Sequence, residues 1–149
     1  MNFHLSSNEE FTCSTIYIVG CNKNWNKIST FIKNGTPVIE IIASKNDKKN
    51  QMSDGTKNLD SWRIVVDNTI TNDKFIVSVD NNILTFTGTK KSFDNLQELA
   101  SDFGKNFWQK GDHVHLSYID LEGYEYNWFV NNNIELILSV LPYSSSVEM

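Results

Sequence analysis

A pair of histidines is the pattern in this chain that most resembles a reactive site. His113 and His115 follow Gly111 in a run of strand-forming residues. Alternate strand side chains share a face, so the imidazoles would lie about 7 Å apart, a spacing that suits two ligands of one zinc ion. The alternative is that both histidines are structural and form hydrogen bonds on a sheet face. We expect this alternative, because the spacing of residues in the sequence identifies no third metal ligand. Candidates to complete a metal set would be Asp112, Glu122, Glu125 and His4.

Other catalytic patterns are missing from the sequence. There is no G-x-S-x-G, no phosphate-binding glycine loop and no H-E-x-x-H. The two cysteines, Cys13 and Cys21, match neither a C-x-x-C redox pair nor half of a common zinc site, and we expect reduced thiols that pack as small apolar groups. The sequence therefore predicts a protein that is not an enzyme and has no cofactor.

Charge is distributed unevenly along the chain. Residues 1–110 carry all 13 Lys and Arg and a net charge of +1, whereas residues 111–149 carry no Lys or Arg and a net charge of −6. An acidic end without counter-charges repels phosphate backbones and attracts basic surfaces. Arg63 is the only arginine. Because arginine is the preferred reader of phosphates and base edges, we expect no nucleic-acid partner.

The acidic end contains a segment that combines carboxylates with large aromatic side chains, in the predicted loop 120–133. Tyrosine and tryptophan anchor protein interfaces, and carboxylates speed the encounter with a basic partner. The alternative is a loop whose aromatic side chains fold back onto the core. The interface interpretation predicts these partner-binding residues: Asp120, Glu122, Tyr124, Glu125, Tyr126 and Trp128.

Length and hydropathy indicate one globular domain over residues 1–149, with 40% apolar residues to form a core. The first residues lack the basic and apolar regions of a signal peptide. No stretch reaches the roughly 20 apolar residues that span a bilayer. We therefore expect a cytoplasmic protein without a membrane partner, with a polar loop at about 44–61 and a frayed tail at about 144–149.

Hydrophobic periodicity predicts an α+β fold, in which two helices pack on a mainly antiparallel sheet. The helices are predicted at Asn24–Lys33 and at Ser92–Trp108, with Ser92 as N-cap and Gly104 as a possible end. The second helix has an apolar stripe that should face the core: Phe93, Leu96, Leu99, Ala100, Phe103 and Phe107. Strands are predicted at 11–19, 36–43, 62–67, 74–80, 83–87, 113–119 and 134–141, with Asn81-Asn82 as a two-residue turn.

The second half of the chain, about residues 74–141, contains four short motifs in a fixed order: Asn82-Ile83-Leu84-Thr85-Phe86-Thr87-Gly88, then Ser92-Phe93-x-x-Leu96-x-x-Leu99-Ala100, then Gly111-Asp112-His113-Val114-His115-Leu116 and Ile134-Glu135-Leu136-Ile137. In these motifs it resembles a family of small immunity proteins from bacterial polymorphic-toxin systems. This resemblance implies a non-enzymatic antidote that binds its cognate toxin in the cytosol. The resemblance supplies no catalytic residues.

Overall fold

The structure is a computed structural model that describes residues 1–8, 13–44, 56–71, 74–105, 113–116, 118–119, 125–126 and 134–140. Within these residues the chain forms two helices and eleven strands. The helices are α1 (Asn22–Lys33) and α2 (Lys90–Phe103). The strands are β1 (Asn2–Asn8), β2 (Cys13–Gly20), β3 (Val38–Ile42), β4 (Thr56–Leu59), β5 (Ser61–Val66), β6 (Ile76–Asp80), β7 (Ile83–Gly88), β8 (His113–Leu116), β9 (Tyr118–Ile119), β10 (Glu125–Tyr126) and β11 (Ile134–Val140).

The strands are distributed over two main sheets and one short ribbon. The first sheet has the order β4-β1-β2-β11-β8, and the second has the order β3-β5-β7-β6. Each main sheet contains one parallel pair, β2 with β11 and β5 with β7, while the other pairs are antiparallel. Strands β9 and β10 form the antiparallel ribbon. The predicted α+β class is confirmed.

One residue joins the two main sheets. Asp60 separates β4 of the first sheet from β5 of the second. Its backbone N–H donates to the carbonyl of Asn82 at 2.8 Å, and its carbonyl accepts from the N–H of Ala43 at 2.8 Å. Because both backbone groups are bonded to the second sheet, the chain changes sheets here within a single residue.

Two strands of the first sheet were not anticipated from the sequence. Strand β1 precedes the first predicted element, and β4 lies inside the segment that was predicted to be a polar loop. Strand β4 lacks the apolar alternation of a half-buried strand. In β1 the alternation is limited to Phe3 and Leu5, and the strand also buries the polar residues Asn2 and His4. Both strands are specified by pairing, since β1 lies between β2 and β4. The rest of the predicted loop, 45–55, lies outside the described residues.

Residues with positive φ determine two local turns. The Asn81-Asn82 turn joins β6 to β7, with positive φ values of 52° and 63° at the two residues. These are the left-handed conformations that a two-residue hairpin requires and that asparagine tolerates. At the C-terminal end of α1, Gly35 has a φ of 75° and terminates the helix. The Asn81-Asn82 turn agrees with its prediction from the sequence.

The N-cap of the second helix lies three residues earlier than predicted. Its N-cap is Thr89, whose hydroxyl accepts a hydrogen bond from the backbone N–H of Ser92 at 3.4 Å, so the assignment of Ser92 as the cap was wrong. Lys90 and Lys91, which lie between Thr89 and Ser92, are polar, so the periodicity of apolar residues does not indicate that the helix begins there. The helix ends at Phe103, with Gly104 as the C-cap, which is the earlier of the two predicted ends.

Helix α1 holds the end of α2 with two asparagine side chains. The buried amide of Asn22 donates to the carbonyls of Phe103 at 2.7 Å and Lys105 at 3.1 Å, and Asn26 donates to the carbonyl of Gly104 at 3.0 Å. These carbonyls would otherwise lack intrahelical partners. These hydrogen bonds fix the position of residues 103–105, from which the chain continues toward the acidic region.

The core lies between the helices and the inner faces of both main sheets. Its centre is a chain of aromatic rings in which Trp62 of β5 contacts Phe3, Trp25 and Phe86, with centroid distances of 6.1, 6.4 and 5.3 Å. Trp25 also packs against Phe103 at 5.1 Å. Since these rings come from both sheets and both helices, the described elements share one core.

The apolar stripe of α2 is buried along its centre and open at one margin. Phe93, Leu96, Ala100 and Phe103 are buried, but Leu99 is only partly buried, and Phe107 lies outside the described residues. Leu99 lines a shallow surface depression with the polar side chains of the adjacent helical turn. The described residues of the stripe therefore face the core as predicted, but Leu99 is less buried than predicted.

Alanine substitutions at the two leucines of α2 should separate these environments. Leu96→Ala is expected to lower the free energy of unfolding by about 2–5 kcal/mol, because it leaves a cavity in a fully buried site. Leu99→Ala should cost clearly less, since water can fill the space at the margin. Urea unfolding of both variants measures the difference. Equal losses would show that α2 packs with a different face.

Candidate functional site

The predicted partner-binding segment is only partly covered by the described residues. Glu125 and Tyr126 form β10, which pairs with β9 in the register Glu125↔Ile119 and Tyr126↔Tyr118. This part of the predicted loop 120–133 is therefore a short antiparallel ribbon. The other predicted contact residues lie outside the described residues: Asp120, Glu122, Tyr124 and Trp128.

The ribbon lies in the connection between two adjacent strands. Strand β8 is at the edge of the five-stranded sheet and pairs with β11, from Leu116↔Leu136 to His113↔Ser139. Residues 117–133 therefore leave the sheet beside Leu116 and return to it at Ile134. Connections between strands of a rigid sheet are common positions for binding residues. The backbone of this sheet thus anchors both ends of the acidic, aromatic segment.

The strand that follows the acidic segment, β11, belongs to the core of the protein. Strand β11 lies between β8 and β2, and its Leu136, Leu138 and Val140 belong to the core. The indole N–H of Trp25 in α1 donates to the carbonyl of Ser139 at 3.1 Å. Packing and a hydrogen bond therefore hold the strand that follows the acidic segment, so the segment is attached to the most buried part of the fold.

The backbone register shows how the histidines are placed. In the first sheet, His115 is opposite Ile137, which is opposite Tyr17, which is opposite His4. His4 is thus three strands from His115, or about 14 Å at the usual strand spacing. The His4 side chain is only 2% exposed, and its Nδ1 lies 2.7 Å from Oδ1 of Asn58 on β4, on the side of β1 away from β8.

This geometry removes His4 from the potential metal ligands around His115, because zinc–nitrogen distances are about 2.0–2.1 Å. Within the part of the chain that the structure describes, no group of three or more His, Cys, Asp and Glu side chains could hold a metal ion. Cys21 is a free thiol at the start of α1, and its Sγ lies 3.1 Å from Oδ1 of Asn24. It forms part of a helix terminus.

Metal analysis tests the structural role that we expect for the histidine pair. Protein purified without an affinity tag should contain far less than one zinc per chain, because fewer than three ligands rarely make a stable site. The double variant His113→Ala with His115→Ala should have the same zinc content. Stoichiometric zinc that is lost in the double variant would contradict this prediction and favour a metal-dependent function.

A cavity of about 690 Å³ lies between the end of α1, the start of α2 and the second sheet. Its apolar floor includes Ile39, Ile64 and Phe93, while Lys33 and Lys90 lie among its lining residues. None of the lining residues is a histidine or a cysteine. The cavity therefore has the size of a small-molecule site but not a recognisable set of catalytic groups.

Comparison of the chain with protein-family models, with curated proteins and with solved structures finds no match. Among the described residues, no helix has both the length and the apolar character to cross a membrane. Functional inference for this protein therefore rests on its residues, their charges and their positions in the fold.

Proposed function

We propose that this protein is an immunity protein, which binds a cognate bacterial toxin in the cytosol and neutralises it by protein–protein interaction. The observation that carries the proposal is the net charge of −6 in residues 111–149, without any Lys or Arg. The described strands β8 and β11 anchor the most aromatic part of this region at both ends. The resemblance of residues 74–141 to an immunity-protein family supports the same function.

An acidic surface suits one broad class of toxins. Toxins that cleave nucleic acids in the cytosol need basic clefts to bind their substrates. A cluster of carboxylates could occupy such a cleft in place of phosphates, and long-range attraction would speed the encounter. Inhibition in this way requires no reaction by the antidote, so the protein would act without a catalytic site or a cofactor.

Aromatic side chains would supply the affinity that exposed charges lack. Exposed ion pairs contribute little net binding free energy, whereas desolvated tyrosine and tryptophan side chains dominate many interfaces. Tyr124, Tyr126 and Trp128 alternate closely with the acidic residues Glu122 and Glu125. The proposed contact therefore combines carboxylates that steer a basic toxin with aromatic groups that hold it.

The function can be tested with the gene beside that of this protein. The neighbouring product, or its variable C-terminal domain, is expressed in a laboratory bacterium with and without this chain. Growth arrest that co-expression relieves, together with a stable complex of the two purified proteins, is the expected result. A harmless neighbour, or a toxic neighbour that this chain neither binds nor neutralises, would contradict the proposal.

A further inference from the structure

The second sheet ends at β3, and two hydrogen bonds identify the backbone groups of β3 that face β5. The carbonyl of Pro37 accepts from the N–H of Val66 at 3.0 Å, and the N–H of Ala43 donates to the carbonyl of Asp60 at 2.8 Å. Antiparallel ladders bond alternate residues, so odd-numbered residues of β3 face β5. The N–H and C=O groups that point away from β5 are those of Val38, Glu40 and Ile42.

This outward edge is unpaired among the described residues. Strand β3 pairs with β5 only, and Val38 and Ile42 are 52% and 68% exposed. Proteins usually protect such edges with charged side chains, proline or a bulge. In β3 the one charged side chain is that of Glu40, which lies beside Arg63, and the one proline, Pro37, precedes the strand. The edge stops at Ser44, whose N–H donates to the carbonyl of Met1 at 2.9 Å. Among the described residues, the open edge of β3 is therefore short and ends at Ser44.

A groove runs between this edge and α1. On one side it is lined by the consecutive residues Glu40, Ile41 and Ile42 of β3, and its volume is about 300 Å³. On the other side α1 contributes Lys27 and Phe31, which lie one helical turn apart. A strand edge beside a helix is the arrangement in which several peptide-binding domains accept an extended segment as an additional strand.

The charges around the groove favour an acidic ligand. Helix α1 contains Lys23, Lys27 and Lys33 and no acidic residue. The one carboxylate of β3, that of Glu40, lies 3.7 Å from the guanidinium of Arg63 and is thereby compensated. Nζ of Lys27 lies 5.8 Å from the centre of the Phe31 ring, at the helix side of the groove.

We propose that the groove between α1 and the open edge of β3 binds an extended, acidic segment of a partner protein by strand addition. The outward groups of Val38, Glu40 and Ile42 form the backbone hydrogen bonds, apolar side chains of the segment contact Phe31 and the exposed faces of β3, and its carboxylates face Lys27. This surface belongs to the second sheet, so the inference does not depend on the proposed toxin contact.

Synthetic peptides test the proposal on the full-length protein. The probe is an acetylated, fluorescently labelled hexapeptide of alternating glutamate and valine, and the control replaces glutamate with lysine. Fluorescence anisotropy at low salt should show binding of the acidic peptide, with the basic control at least about tenfold weaker because like charges then oppose each other. Equal binding of the two peptides, or no binding of the acidic one at millimolar concentration, would overturn the proposal.

Hydrogen exchange of individual amides locates the bound peptide. On addition of the acidic peptide, exchange should slow at Val38, Glu40 and Ile42 and stay unchanged at Ile39 and Ile41, because the latter two already face β5. Alternating protection is the signature of strand addition. Protection that does not alternate, or that lies elsewhere, would contradict the inference.

Two lysines of the same helix provide matched variants. Lys27→Glu should weaken binding of the acidic peptide about tenfold and strengthen binding of the basic one, because Lys27 lines the groove. Lys23→Glu makes the same charge change at an exposed position outside the groove lining and should have a much smaller effect. Equal effects would show that only net charge matters. Self-association that protects the same edge amides without peptide would identify a second copy as the occupant and overturn the proposal.

Discussion

Replacing Trp25 with alanine is expected to lower the free energy of unfolding by about 3–5 kcal/mol. Trp25 is fully buried, and its ring contacts both Trp62 of β5 and Phe103 of α2. It also donates a hydrogen bond to the carbonyl of Ser139 in β11. Because domains of this kind have a total stability of about 5–15 kcal/mol, the variant should be marginally folded at best. Urea unfolding followed by circular dichroism measures the loss.

Two further variants separate the causes of this loss. Trp25→Phe keeps most of the apolar volume but removes the indole N–H that donates to the Ser139 carbonyl. It should therefore lower the free energy of unfolding by about 1–3 kcal/mol. Phe31→Ala removes an aromatic ring from the same helix at a partly buried position and should cost less than Trp25→Ala. If Trp25→Ala were no more harmful than Phe31→Ala, the aromatic cluster would not be the centre of the core.

Reversing two charges in the acidic segment should have the largest effect on the proposed function. Glu122→Lys combined with Glu125→Lys should slow association with the toxin by about tenfold or more at low salt, and should remove protection of cells. Salt should then slow association much less than in the unaltered protein, because residues 111–149 keep a net charge of only −2 and the two new lysines repel a basic surface at the contact. Stopped-flow or surface-based kinetics over a range of salt concentrations measure both effects.

A charge-matched control makes this test specific. Asp80→Lys with Glu98→Lys changes the net charge equally at exposed positions of β6 and α2, and should leave most of the association rate intact. Trp128→Ala and Tyr126→Ala should instead raise the dissociation rate, at a cost of about 2 kcal/mol or more each. Aromatic variants that melt early but bind normally, together with charge reversals that leave binding unchanged, would place these side chains in the core and contradict the proposed contact.

The elements that could be predicted from the sequence are those whose pattern is local. Helix α1 and the strands from β5 to β7 have their own apolar periodicity, and the Asn81-Asn82 turn has its own backbone preference. Strand β4 lacks such a pattern, and in β1 the pattern is limited to Phe3 and Leu5, so pairing with neighbouring strands specifies both. The chain passes from the first sheet to the second at Asp60. The sequence has no distinctive signal at this position, so the division of the strands between two sheets could not be predicted.

The surfaces were less predictable than the core. The acidic segment could be identified by composition. Its short ribbon was missed, although Tyr124, Tyr126 and Trp128 alternate with Glu125 and Asn127 as residues of a strand do. The groove beside β3 was missed, although one signal was present. Strand β3 is apolar on both faces except at Glu40, which is unusual for a strand with an exposed edge. Whether a strand is central or at an edge depends on sheet order, which periodicity does not encode.

The position of β11 has a consequence for the protein during its synthesis. This strand, which follows the acidic segment, lies between β2 and β8 and pairs with β2 in parallel from Ile134↔Ser14 to Val140↔Gly20. While residues 134–140 are still inside the ribosome, β2 lacks this neighbour and the core lacks Leu136 and Leu138. Pairing over so long a stretch of chain is also slow. The core can therefore be completed only after residues 134–140 have emerged from the ribosome, and a premature stop before Ile134 would leave apolar core side chains exposed to water.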